Sequence, residues 1–321
     1  MQYVTCPPAA AVGHVARTNI SNHSGQRIVA KGHRLTAYDV TRLIDEHIAF
    51  VDIVIADADE VDENHAAAHV ARHTVGSGVQ IAAAHHGRAD IHASHAGVVR
   101  IDIDALIRAN HNPTQTVATI RDGQVVHAGQ RVASVKILPF AVPQHELPVH
   151  HTSVVRVLPF VRRRVGVLVV GAVATYERIR QSHLPPLRER LALLDAAVTR
   201  EHTCLAAARD VGHALRTLAV HCDLLISISE TSVMGVAEAI PAGVSAAGGQ
   251  IIRHGAPVEP GNMMLVGSID RVPFLAAPGC IRTRARNVVD LLLPRLIADD
   301  IPDAAAIAAW AHGGLLGGND D

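Results

Sequence analysis

Aromatic side chains make up only 2% of this 321-residue chain, which leaves Ala, Val, Leu and Ile to build its core. So few rings cannot line a groove on which successive bases stack. An excess of basic charge is missing too, since 29 Lys and Arg stand against 30 Asp and Glu for a net charge of −1. Proteins that wrap a polyanion draw their affinity from such an excess, so no nucleic-acid partner is expected. Cysteine is rare and scattered, at Cys6, Cys204, Cys222 and Cys280, with no C-x-x-C pair. That spacing argues against a structural zinc or a disulfide framework and for a cytoplasmic protein. Long apolar runs are also absent. Val165 to Ala174 is the longest and is interrupted by two glycines, about half of the roughly 20 residues a membrane span needs. The N-terminus Met1-Gln2-Tyr3-Val4-Thr5-Cys6 has neither a basic nor an apolar stretch, so no export signal is expected.

What is present is a chain that is 49% apolar and 18% charged, enough to bury a sizeable core. At about 150 residues per domain, two domains are expected. The stretch Pro139 to Pro159 has four prolines, three histidines and little periodicity, so the linker is placed there. Residues 1–160 then read as an N-terminal α+β region. Thr36 to Asp39 looks like a capping box, Asp62-Glu63 begins an Ala-rich helix, and Asp122-Gly123 signals a hairpin. Residues 161–321 read as an α/β domain with a mostly parallel sheet covered by helices on both faces. Val165–Gly171 and Asp223–Ile228 are continuously apolar strands, and Pro185-Pro186 introduces a helix to about Ala197.

Ligands of such folds sit at the carboxyl ends of strands. Three loops meet that condition: Ser229-Glu230-Thr231-Ser232, Pro260-Gly261-Asn262 after Glu259, and Pro278-Gly279-Cys280 followed by Arg282, Arg284 and Arg286. Hydroxyls, free backbone N–H groups and forked guanidinium donors suit a phosphorylated or polyanionic small ligand. The same residues also suit plain N-capping by Thr231 or Ser232, a tight turn, and a solvated basic helix start.

In order along the chain, these residues resemble a known family. Lys31-Gly32-His33-Arg34-Leu35-Thr36-Ala37-Tyr38-Asp39-Val40, Gly87-Arg88 and Val135–Phe140 are similar to a stand-alone branch of the molybdopterin-binding domain family. Pro257–Asn262, Pro273–Cys280 and the Ser229–Ser232 loop are similar to the domain shared by molybdopterin adenylyltransferases and molybdotransferases. The resemblance implies molybdopterin or a nucleotide derivative of it as the ligand, with Mg or molybdate at its dithiolene. The partner would be a small-molecule pterin phosphate, and a homo-oligomer is expected. The transferases carry a Ser-Gly-Gly-Val-Ser-Val-Gly-Asp type loop, whereas Ile228 to Gly235 here lacks both glycines and places Gly235 where the acid belongs. Catalysis is therefore open. The chain is either a maturation enzyme or a non-catalytic carrier or sensor of the pterin.

Histidine is plentiful, at 22 residues. His65, His69 and His73 fall at i, i+4 and i+8 of one predicted helix, and His85, His86, His92 and His95 follow. A His-rich metal-binding protein is the third reading, but no Cys and no H-E-x-x-H accompany the stripe, so no metal site is assigned.

Overall fold

The predicted capping box closes at the start of the Ala37–Asp45 helix, where Thr36 Oγ1 accepts from the Asp39 N–H and Asp39 Oδ2 accepts from the Thr36 N–H. It belongs to a computed structural model that describes residues 1–317. The chain divides into two compact units: Met1–His95 with Val99–Val157, and Leu158 onward with Ala96–Val98. Helices and strands are mixed throughout. Among the described residues no helix is long and apolar enough to cross a membrane.

In the first unit a four-stranded antiparallel sheet runs in the order Gln115–Thr119, Arg131–Ile137, Arg88–Ala93, Val79–Ile81. Ala89, Ile91, Ala93, Val117, Val135 and Ile137 point inward and pack against Ala66, Ala67, Val70 and Ala71 of the Glu63–Thr74 helix. Asp62 caps that helix by accepting from the Asn64 and His65 N–H groups. A second core gathers Leu35, Leu43, Val51 and Ile53.

Two expectations for this unit need correction. The Asp122-Gly123 turn forms, but it does not join a hairpin. Gln115–Thr119 pairs with Arg131–Ile137, while Gly123 and Gln124 bond to Val99 instead. The Pro139–Pro159 stretch is not a free linker either. Ala141–Pro143 pairs with Glu60–Asp62, and Val154, Val155 and Val157 are buried in the first core. Its prolines Pro143 and Pro159 close short strands, where a missing N–H interrupts little pairing.

The second unit is built on a six-stranded sheet in the order Ala197–Cys204, Arg164–Val170, Leu224–Ser229, Val272–Ala276, Leu265–Ile269, Gln250–His254. The first four strands run parallel and the last two pairings are antiparallel, so the sheet is mixed, with three of its five pairings parallel. Two antiparallel steps bring Gln250–His254 back into the direction of the parallel strands. The helices Ala208–Ala219 and Ala239–Ala246 share one core with Leu168, Leu225, Leu265 and Phe274.

The helix expected from Pro185 begins earlier, running Tyr176–Ala192 with both prolines inside it. Ala197–Cys204, which starts where that helix was expected to end, is one eight-residue edge strand. Its exposed, polar pattern follows from the edge position, where few side chains are covered.

Candidate functional site

Direction along the sheet decides what meets what. Leu224–Ser229, Val272–Ala276 and Gln250–His254 all point the same way, so the three loops read from the sequence leave from one edge. Backbone and side-chain bonds join them there. Ser232 Oγ accepts from the Gly279 N–H at 2.9 Å, tying the first loop to the third. His254 Nε2 donates to Val233 O at 3.0 Å, tying the first loop to the end of the Gln250–His254 strand. Val288 N–H donates to Pro260 O at 3.1 Å, and Asn287 Nδ2 donates to Cys280 O at 3.3 Å, so the second and third loops share one helix start.

Within that junction the residues separate by role. Ser229 Oγ donates to Thr231 O at 2.6 Å and shapes its own loop, while Thr231 is exposed. Pro278 is buried, and Gly279 and Cys280 are half-buried. Burial pushes the Cys280 thiol up to about 11, so it is a neutral thiol near pH 7 and not a nucleophile. Gly261 is buried under the Val288 side chain, and a Cβ there would lie 2.4 Å from Val288 Cγ1. Its conformation, with φ of +121°, also demands glycine. Gly261 thus serves packing. Asn262 lines a separate hollow of about 210 Å³ with Glu259, Ala311, Gly314 and Leu315.

The arginines divide sharply. Arg284 is spent in a bidentate pair with Glu189, at 2.7 and 2.6 Å. Arg282, at the end of the Gly279–Arg282 turn, is exposed, and its guanidinium has no hydrogen bond or ion pair among the described residues. Its charge reaches the buried His183, whose pKa is lowered by burial first and by Arg282 further, against the Nδ1–H bond to Ile179 O.

Two arginines escape a sequence reading, and Glu238, one helical turn beyond Gly235, was readable from its position alone. Arg178 pairs with Glu230, so the one carboxylate of the Ser229–Ser232 loop has a counterion. Arg190 is buried and fastens the third loop, with Nε on Asp290 Oδ1 at 2.8 Å, Nη1 on Ile281 O at 3.3 Å and Nη2 on Ala285 O at 3.2 Å. Glu238 Oε1 accepts from the Met234 N–H at 3.0 Å and lies 3.8 Å from the place a Gly235 Cβ would take. Only position after a neighbouring parallel strand marked Arg178 in advance, and nothing local marked Arg190.

The histidine stripe lies on the Glu63–Thr74 helix of the first unit. His69 and His73 rings stack with centroids 4.3 Å apart, His69 Nε2 donates to Pro148 O, and His65 Nδ1 bonds the Asp62 carboxylate. With Arg72, Leu147, Pro148 and Val149 they line a hollow of about 420 Å³. Among the described residues no three His, Cys, Asp or Glu side chains gather as a metal site.

No protein family and no curated protein matches this sequence. Among solved structures, a molybdenum cofactor biosynthesis protein from Pyrococcus furiosus is 10% identical over 94% of this chain, with a TM-score of 0.27. This chain spans 65% of that protein's length. A molybdopterin biosynthesis moeA protein from Pyrococcus horikosii is 10% identical over 94% of this chain and 75% of its own, with a TM-score of 0.33. The protein CinA from Thermoplasma acidophilum is 13% identical over 38% of this chain and 90% of its own, with a TM-score of 0.30. Likeness this slight leaves the site to be judged on its own residues.

Proposed function

We propose that the second unit binds molybdopterin or a nucleotide derivative of it, and that the protein serves molybdenum cofactor biosynthesis or handling as a cytoplasmic homo-oligomer. The observation that carries this reading is the Ser232–Gly279 junction. It places hydroxyl and backbone N–H groups at the carboxyl ends of adjacent parallel strands, in the loops whose sequence resembles the family. Arg282, exposed and without a counterion among the described residues, supplies the forked donor for the pterin's terminal phosphate. The remaining contacts fall to Thr231 and to Ser232, whose hydroxyl accepts from Gly279 and keeps its proton to donate, with Pro278 and Cys280 as the neutral wall. Helices on both faces of the sheet belong to the same family reading.

A carrier or sensor role is favoured over transfer chemistry by the state of the acids. Gly235 stands where the family's acid belongs, and Glu238 is drawn onto the Met234 N–H. Glu230 is paired with Arg178. These donors do not fit a magnesium ion or molybdate held by the protein alone, so either would have to be held largely by the ligand.

The test is whether protein purified without added ligand releases a fluorescent oxidised pterin on acid iodine treatment. Release from the wild type at close to one per chain, and much less from Arg282→Ala, is the expected result. No pterin from the wild type, together with no binding on titration with molybdopterin, would overturn the proposal.

A further inference from the structure

On the Glu63–Thr74 helix, His65, His69, Arg72 and His73 stand at i, i+4, i+7 and i+8, so all four share one face. Together they line the hollow of about 420 Å³, and Val61, Gln144, Leu147, Pro148 and Val149 complete its lining. No carboxylate is among these residues. Asp62, next to Val61, is taken by the His65 ring and by the Asn64 and His65 N–H groups. His145 and Glu146, on the turn after Gln144, do not line the hollow. Arg72 is exposed, and its guanidinium has no hydrogen bond or ion pair among the described residues.

Each of the three rings is fixed in one tautomer. A carbonyl or carboxylate oxygen only accepts, so the ring nitrogen beside it carries the proton. His65 Nδ1 donates to Asp62, His69 Nε2 to Pro148 O at 2.8 Å, and His73 Nδ1 to His69 O at 2.9 Å. In a neutral ring the second nitrogen is then a lone pair, which accepts a proton but offers an anion nothing. The His69 and His73 rings stack at 4.3 Å, so a charge on both is disfavoured and the pair takes up one proton before two. The helix-end carbonyls that would repel an anion are occupied. His69 O is held by His73 Nδ1, and His73 O by the Thr152 N–H at 2.8 Å and the Thr152 hydroxyl at 3.0 Å.

We propose that this hollow binds a small organic carboxylate with an apolar body and takes up a proton as it does so. The carboxylate lies in the fork of Arg72, and the apolar body lies against Val61, Leu147, Pro148 and Val149. The proton passes from solvent to a lone pair of the His69–His73 pair and turns that acceptor into a second donor to the carboxylate. Histidine is the side chain that changes charge between about pH 5 and 8, so the site fills as pH falls through that range. A carboxylate without an apolar body gains only the charged contacts, and a neutral ring compound gains only the apolar ones. None of these residues belongs to the loops of the second unit, so this site stands or falls independently of pterin binding.

The test is calorimetric titration of the full chain with benzoate, acetate and benzyl alcohol at pH 6 and pH 8, in two buffers of different ionisation enthalpy. Benzoate is expected to bind more tightly than either of the others, about tenfold more tightly at pH 6 than at pH 8, with uptake of about one proton near neutrality. Arg72→Gln should weaken benzoate about tenfold or more at both pH values. Val149→Asp, at an exposed position, sets a carboxylate against the apolar wall and should abolish binding. His69→Gln with His73→Gln keeps a side-chain donor at each place and should flatten the pH dependence. Arg27→Gln, an exposed charge elsewhere in the unit, should change nothing. Failure of the wild type to bind benzoate at millimolar concentration at either pH would overturn the proposal. So would equal affinity for acetate and benzoate, binding without proton uptake, or binding that survives Arg72→Gln and Val149→Asp in folded protein.

Discussion

In the six-stranded sheet the Arg164–Val170 strand is buried at every position after its first, whereas in the four-stranded sheet Arg88–Ala93 alternates between exposed or half-exposed and buried positions. A strand covered on both sides has no face to offer a ligand, so contact is left to the loops at its ends. A strand covered on one side leaves a face open, and there the register decides which polar groups meet. The candidate site follows from the first case: it lies in the loops around Ser232 and Gly279, at the ends of covered strands.

The sharpest way to break this comparison is to remove bulk from each sheet. Leu168→Ala, in the fully covered strand, should cost about 2–5 kcal/mol in denaturant unfolding, while Ala118→Ser on the open face should stay within about 0.5 kcal/mol. A Leu168→Ala loss no larger than that of Ala118→Ser would contradict the contrast.

Charges give a second contrast inside the loop-end site. Arg190→Ala strips a buried guanidinium from Asp290 and from the carbonyls of Pro186, Ile281 and Ala285, and should cost about 2–3 kcal/mol. Arg284→Ala loses only the exposed pair with Glu189 and should cost far less. Equal losses in thermal unfolding would mean that the third loop is not fastened by Arg190. Arg282→Ala should leave stability nearly unchanged and weaken molybdopterin binding by about tenfold, roughly 1.4 kcal/mol.

Smaller effects refine the picture. His183 has its pKa lowered in the folded protein, so between its folded and unfolded values the unfolded chain holds more protons. Its contribution is complete above the ordinary value of 6.5 and is lost as pH falls from there through the folded value. Wild type should therefore lose stability on acidification below about 6.5 more steeply than His183→Gln. A parallel pH dependence of the two proteins would remove His183 from the account. The smallest change is expected from Glu230→Gln, which frees Arg178 for an incoming phosphate. Molybdopterin should bind a few-fold tighter at low salt, and the gain should shrink as salt rises, since exposed pairs are worth less than about 1 kcal/mol. A gain independent of salt would show that the charge is not its cause.

How much of this was legible beforehand depends on the range of each interaction. Thr36 with Asp39 and Asp62 with Asn64 are local, and both helix starts were readable from adjacent letters. Val165–Val170 and Leu224–Ser229 were legible because strands covered on both faces have no polar alternation. Ala197–Cys204 was not, since an edge strand with exposed Arg200 lacks that signature. The Tyr176–Ala192 helix was hidden by Pro185 and Pro186, of which Pro186 is buried and Pro185 lies on the exposed side. In the site, the loops could be listed but their junctions could not. Ser232 meets Gly279 across 47 positions, Arg178 meets Glu230 across 52, and Arg190 meets Asp290 across 100. No spacing rule reaches that far.

The carboxylate of Asp290 has two attachments. It accepts from the Asn287 N–H at 2.8 Å, completing the cap of the Val288–Ile297 helix, and it receives the Arg190 guanidinium. Asn287 in turn holds Cys280 O and Ala285 O through its amide. A helix capped only by its own neighbours can fray one residue at a time. Here the first turn cannot open without also releasing Arg190 and the carbonyls of the preceding loop. The loop and the helix start therefore open as one cooperative unit, and their amide hydrogens exchange with solvent together rather than in a gradient from the helix end.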